Sequence, residues 1–170
     1  MKRKTTTIII GVILLLLIAV AVLALLNRGE GQLVGGQIEV FVQGESAAML
    51  TPEDIYALPS VEVYKKIVSS GQENQEGTFT GVYLAELLDA ATPGWQENAA
   101  QVICRAEDNF ISSFALDEVL APESVLVAYA LDGELLTGKD QGGKGPFRLV
   151  VLDDEFGNRS TYWLCRVEVE

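Results

Sequence analysis

The sequence predicts an α+β domain of mixed sheets with short helices, preceded by one N-terminal transmembrane helix. Three observations predict it. Residues 8–26 form an uncharged apolar run. Several later segments alternate apolar and polar residues with period two, as half-buried strands do. Short stretches with helix-start signals lie between those segments, so strands and helices are interspersed along the chain.

The first element is the apolar run. It holds 19 residues broken only by Gly11, about 28 Å of helix, close to the hydrocarbon thickness of a bilayer. Lys2, Arg3 and Lys4 precede it. The positive-inside rule then puts residues 1–7 in the cytoplasm and everything after residue 26 outside the cell membrane. A cleaved signal peptide is the alternative. Its apolar region is shorter, and the only small-x-small candidate here, Ala19-Val20-Ala21, lies inside the run. An uncleaved single-pass signal anchor is the expectation. Residues 27–36 (NRGEGQLVGG) carry four glycines and read as a flexible linker. Residues 37–170 then form one extracytoplasmic domain, long enough for a single core.

Within that domain, residues 37–43 alternate and place Ile38, Val40 and Val42 on one strand face. Thr51 and Pro52 open a short helix as cap and first residue, with Glu53 and Asp54 in its first turn. Residues 61–68 alternate again, and residues 71–77 read as a polar turn. Residues 80–91 read as a helix capped by Thr80 and ended at Pro93-Gly94. Residues 101–106 read as a strand, Asp108-Asn109 as a turn and 115–120 as a second short helix. Residues 125–131 are a strongly apolar strand before an Asp132-Gly133 turn. A glycine-rich loop covers 142–146. The last two strands, 147–152 and 161–169, flank the acidic turn Asp153-Asp154-Glu155.

The chain has 170 residues, net charge −12, two cysteines and no histidine. Setting aside Lys2, Arg3 and Lys4 leaves nine basic against 24 acidic residues, a net of −15. Nucleic acid is a poor partner for such a chain, because phosphate binding needs clustered Lys and Arg. Without histidine there is no Ser-His-Asp triad, no Cys-His dyad and no histidine-bound zinc. Cys104 and Cys165 both read as inward-facing, either as a disulfide or as two buried thiols. The acidic turn at 153–158 lacks the spacing of an EF-hand loop and reads as a solvated turn.

The glycine-rich loop is more suggestive. Gly142, Gly143 and Gly145 would let backbone amides approach an anion, with Lys144 and Arg148 supplying charge. Arg159-Ser160 is a second cationic spot. Together these residues point to a phosphate-bearing ligand. A flexible loop with scattered surface cations is the plainer alternative.

The order of motifs resembles the sulfite-oxidase-type molybdopterin-binding domain. TGVYLAELL at 80–88 is similar to that family's "tGvpLaeLL" helix, and VICRAEDNF at 102–110 to its strand and "DGY" turn. FALDEVL at 114–120, VAYALDGELL at 127–136, GPFRLVV at 145–151 and STYWLCRVEV at 160–169 resemble later family segments in the same order. The likeness runs from about Val61 to Glu170.

The resemblance implies a molybdopterin cofactor at Ser69, Gly71, Gly145, Arg148 and Ser160, to which the loop reading adds Lys144 and Arg159 as candidate cofactor-binding residues. It also exposes departures. Ser69 stands where the family has its metal-binding cysteine, in a Ser69-Ser70-Gly71 turn. A hydroxyl is a poor substitute for a thiolate. Gly143 replaces a family histidine, Tyr162 a phosphate-binding lysine and Leu152 a proline. The expectation is therefore a membrane-anchored ligand-binding or accessory module without molybdenum turnover, holding a pterin or another phosphorylated small ligand. A molybdopterin-dependent oxidoreductase and a structural domain docking an envelope or membrane protein are the alternatives.

Overall fold

The computed structural model describes residues 12–20, 22, 35–68 and 74–170. The chain divides into two units, Met1–Gln32 and Leu33–Glu170. In the first, residues 12–20 and 22 are helical with exposed apolar side chains. Among the described residues no helix is long and apolar enough to cross a membrane. Both ends of the expected 8–26 span lie outside the described residues.

The second unit holds two five-stranded sheets. In the first, β1 (Ile38–Val42) pairs in parallel with β10 (Leu164–Val169), so the two ends of the domain meet at the sheet centre. β2 (Glu45–Leu50) flanks β1. β5 (Gln101–Ala106) and β6 (Ile111–Ala115) extend the other side, giving the order β2-β1-β10-β5-β6. The second sheet runs β3 (Val61–Ile67), β4 (Gln75–Tyr83), β7 (Val125–Leu131) and β8 (Glu134–Leu135), and β9 (Arg148–Val151) also pairs with β7.

One core joins the sheets. Ile38, Val40, Phe114 and Val167 of the first sheet form one buried cluster with Val82, Val127 and Leu149 of the second. Three helices close it: α1 (Pro52–Tyr56), α2 (Leu84–Ala91) and α3 (Leu116–Leu120). α1 starts as expected. The Thr51 hydroxyl accepts from the Asp54 amide, and the Asp54 carboxylate accepts from the Thr51 amide. α2 turns Leu84, Leu87 and Leu88 into the core.

The second sheet is buried on both faces. Leu126, Ala128, Phe79 and Val150 form a separate cluster on the face opposite the main core. This explains why residues 125–131 read as continuously apolar rather than alternating.

Three expectations need correction. Residues 80–83 belong to β4, not to a helix capped by Thr80. Gly81 sits so close to the β7 backbone that a Cβ there would overlap the Val127 carbonyl, and the β4–β7 register shifts at that point. The stretch 75–77 is strand rather than turn. The third concerns Cys165. A bulge between Leu164 and Arg166 turns Leu164 and Val167 into the main core and leaves Cys165 off that face. Its thiol donates to the Arg105 carbonyl at 3.5 Å. Cys104 does face the core, and both thiols are free.

Candidate functional site

The glycine-rich loop folds as a turn that consumes its own amides. Gly142 N donates to Lys139 O, Gly143 N to Gly138 O and Gly145 N to Thr137 O. These three amides are therefore not an anion cradle, contrary to the sequence expectation. The glycines serve close approach instead. A Cβ at Gly143 would overlap the Thr137 carbonyl and hydroxyl, so the histidine found here in the resembling family has no room without a shift. The indole of Trp163 closes the loop by donating to Gly143 O at 2.8 Å.

Arg148, the first residue of β9, is fully buried. Strand alternation puts Leu149 and Val151 in the main core and Arg148 on the outer face with Val150. Its Nη1 donates to Gln75 Oε1. Among the described residues its Nε and Nη2 have no partner in good hydrogen-bond geometry, and the Tyr162 side chain acts on the guanidinium as a further acceptor. The guanidinium carbon lies 5.2 Å from the Phe79 ring centre and 4.5 Å from that of Tyr162. Burial pulls its pKa down to about 10, with Tyr162 partly opposing the shift. A buried cation with two unused donors and no carboxylate is costly. An anionic ligand is the natural complement of such donors.

Tyr162 also carries Lys144, whose Nζ lies 5.0 Å from the ring centre. Beside it a cleft of about 220 Å³ is lined by Tyr162, Ser160, Asn158, Gly157, Phe110 and Asp108. Of the expected site residues, Arg148, Lys144 and Ser160 therefore converge around Tyr162, and Gly145 lies in the adjoining turn. Ser69 and Gly71 lie outside the described residues.

Arg159 does not join them. Its guanidinium grips Asp154 through Nε at 2.9 Å and Nη2 at 2.6 Å, and Glu118 through Nη1 at 2.6 Å. Its pKa is raised, chiefly by the Asp154 hydrogen bonds. Two carboxylates already match this charge, and Asp154 of the acidic turn is equally engaged. A larger cleft of about 530 Å³, lined by residues 135–141, Pro146, Glu107, Gly35 and Gly36, contains none of the expected site residues.

Gln75 and Phe79 were not legible as site residues. They belong to β4, and only the pairing of β4 and β9 on β7 brings them to Arg148. Among the described residues no group of three or more Cys, Asp or Glu is arranged to hold a metal ion. The two thiols sit in the other sheet, and burial raises the pKa of each, Cys165 to about 11.

The chain is 32% identical over 101 residues to an uncharacterized oxidoreductase, YuiH, of Bacillus subtilis (strain 168). That match covers 59% of this chain and 50% of the relative, so the chain spans about half the length of the curated relative it matches. Among solved structures it is similar to the sulfane dehydrogenase SoxCD of Paracoccus pantotrophus, with TM-score 0.62 and 19% identity. That superposition covers 78% of this chain and 37% of the other, and shows a shared fold. The family model for the oxidoreductase molybdopterin binding domain matches residues 36–170, which hold both sheets, and the chain belongs to that family.

Proposed function

We propose that this protein is a membrane-anchored, extracytoplasmic domain that binds the phosphate end of a pterin cofactor and acts as an accessory module without molybdenum turnover. The observation that carries the binding is Arg148. Its two donors without a well-placed partner among the described residues, behind the Tyr162 ring that lines the Ser160 cleft, fit a phosphate group. Arg148 would hold the phosphate, the Ser160 hydroxyl would add a hydrogen bond, and Lys144 would supply charge at the rim. A bound molybdenum cofactor supplies a two-electron redox centre. The donor set supports the pterin end of that group better than its metal end. Ser69 stands at the thiolate position, and the two thiols of the chain are buried in the other sheet. The apolar run behind Lys2, Arg3 and Lys4 supports the anchor and the orientation.

The test is cofactor content. The full chain is produced in a host that makes molybdenum cofactor, with molybdenum counted by mass spectrometry and pterin by fluorescence after oxidation. Pterin without stoichiometric molybdenum is the expected result, and Arg148→Ala and Ser160→Ala should each weaken pterin binding by about 1–3 kcal/mol. Near-stoichiometric molybdenum would establish the oxidoreductase reading. Absence of both from folded protein, or pterin affinity unchanged in both variants, would remove the site assignment.

A further inference from the structure

Arg148 is closed to solutes in this structure, since none of its surface is exposed. A closed anion seat needs an occupant while empty of ligand and a way in. Tyr162 meets both needs. Its ring lies 4.5 Å from the Arg148 guanidinium carbon, and the same residue lines the 220 Å³ cleft with Ser160. One side chain thus touches the buried cation and borders open volume. The backbone on either side of it is tied. Leu149 N donates to Thr161 O at 2.8 Å, and the Trp163 indole to Gly143 O at 2.8 Å. The motion left to Tyr162 is rotation of its side chain toward the cleft. Lys144, 5.0 Å from the ring centre, holds the ring in place from a second cation.

We propose that Tyr162 is the gate of the Arg148 seat, a role that rests on reading Arg148 as an anion site. While closed, the Tyr162 side chain gives the guanidinium a cation–π contact and a hydroxyl acceptor, interactions strengthened by desolvation. A phosphate monoester enters by displacing the ring and takes the Nε and Nη2 donors. Ring and phosphate compete for one cation. Apparent affinity is therefore reduced by the fraction of molecules in which the seat is closed. Removing a ligand-binding side chain weakens binding. Removing a competitor strengthens it, and the sign separates the two.

The experiment uses the full chain and inorganic phosphate as the probe. Phosphate affinity is measured by calorimetry, and access to Arg148 by phenylglyoxal labelling read on its peptide by mass spectrometry. Tyr162→Ala should bind phosphate at least ten-fold tighter and label at Arg148 at least ten-fold faster, with phosphate slowing that labelling. Arg148→Gln in the Tyr162→Ala background should abolish the binding. Lys144→Ala, at the half-buried rim of the site, should also speed labelling of Arg148 and serves where Tyr162→Ala does not fold. Unchanged labelling in whichever of these variants folds, or weaker phosphate binding by Tyr162→Ala, overturns the gate. Phosphate binding by the wild type that Arg148→Gln abolishes leaves the seat standing in that case. Absence of phosphate binding in both wild type and folded Tyr162→Ala overturns the anion reading and the gate with it.

Discussion

Each sheet buries one arginine; among the described residues both leave a donor unpaired, but only one of the two is matched by carboxylates. Arg166 in β10 is 5% exposed and faces acids. Its Nη2 donates to Glu39 Oε2 at 3.0 Å, Glu168 stands 3.7 Å away, and its guanidinium lies 4.6 Å from the Phe41 ring centre. Arg148 in β9 is more deeply buried, in a chain with twice as many acids as bases, yet its partners among the described residues are the Gln75 amide oxygen and the Phe79 and Tyr162 side chains, none of them a carboxylate. Charge pairing was available and is used at one arginine. An unmatched buried cation costs stability, and such a cost is characteristic of a site kept ready for a ligand. On our proposal, the difference separates the structural Arg166 from the ligand-binding Arg148 without reference to any relative.

The largest effect should come from breaking the matched arginine. Arg166→Met leaves Glu39 without its cation in a half-buried strand interface, and Glu168 with Arg105 alone, whose Nε donates to it at 2.8 Å. Removing one partner of a fully buried pair costs about 3–5 kcal/mol. The Glu39 side chain keeps 24% exposure and that of Glu168 15%, so the expected loss is nearer ~2–3 kcal/mol by urea unfolding. A loss under about 0.5 kcal/mol would show that the acids do not need Arg166, and the contrast with Arg148 would collapse.

Alkali should act on the two sheets with opposite sign. In the first sheet, burial raises both thiol pKa values, that of Cys165 to about 11. The unfolded thiols ionise near pH 8.5 while the folded ones stay protonated. Their contribution is complete below that pH and is lost as pH rises toward the folded values, by about 1–2 kcal/mol per thiol at pH 10. In the second sheet, burial lowers Arg148 to about 10. The folded state then binds fewer protons there than the unfolded one, so the Arg148 penalty shrinks only above pH 10. Stability measured from pH 8 to 10 should fall, and Cys165→Ala should flatten the slope. A thiol reagent at pH 8 should find both cysteines only after unfolding. Rapid reaction of the native protein would contradict the burial of both.

Breaking the unmatched arginine should do the reverse of breaking the matched one. Arg148→Met removes two unsatisfied donors and a buried charge and keeps the packing against Phe79. The expected change is neutral to stabilising, by about 1 kcal/mol, while phosphate or pterin binding is lost. A destabilisation as large as that of Arg166→Met would make Arg148 a structural residue like its counterpart.

The sequence carried this contrast only in part. Period-two alternation located β1, β3 and β5, a continuous apolar run located β7, and the Thr51-Pro52 signal located α1. β2 escaped because ESAAML lies at a sheet edge with mostly exposed side chains, so no apolar face marks it. β6 escaped because one of its inward residues is Ser112, whose hydroxyl pairs with that of Thr161 at 2.7 Å inside the domain. α2 was drawn too long because Val82, Leu84, Leu87 and Leu88 satisfy a helical stripe even though Val82 reaches the core from a strand. At the site, Arg148, Lys144 and Ser160 were legible as candidate residues near one another. Their difference from Arg159 was not, since the carboxylates of Asp154 and Glu118 reach Arg159 through a short turn and a separate helix.

Arg159 therefore supplies the smallest and most discriminating test. It stands one residue from Ser160 and was as plausible a phosphate ligand as Arg148. In the structure it is matched by two carboxylates and 35% exposed. Exposed pairs contribute about 0.2–1 kcal/mol even with good geometry, so Arg159→Gln should cost roughly 0.5–1 kcal/mol of stability. Phosphate affinity should not change, because a cation already held by Asp154 and Glu118 has little left for a third anion. If Arg159→Gln weakened phosphate binding ten-fold, proximity to the cleft would matter more than charge matching. The rule that separates Arg148 from Arg166 would then fail at the one cation where sequence position and electrostatic environment disagree.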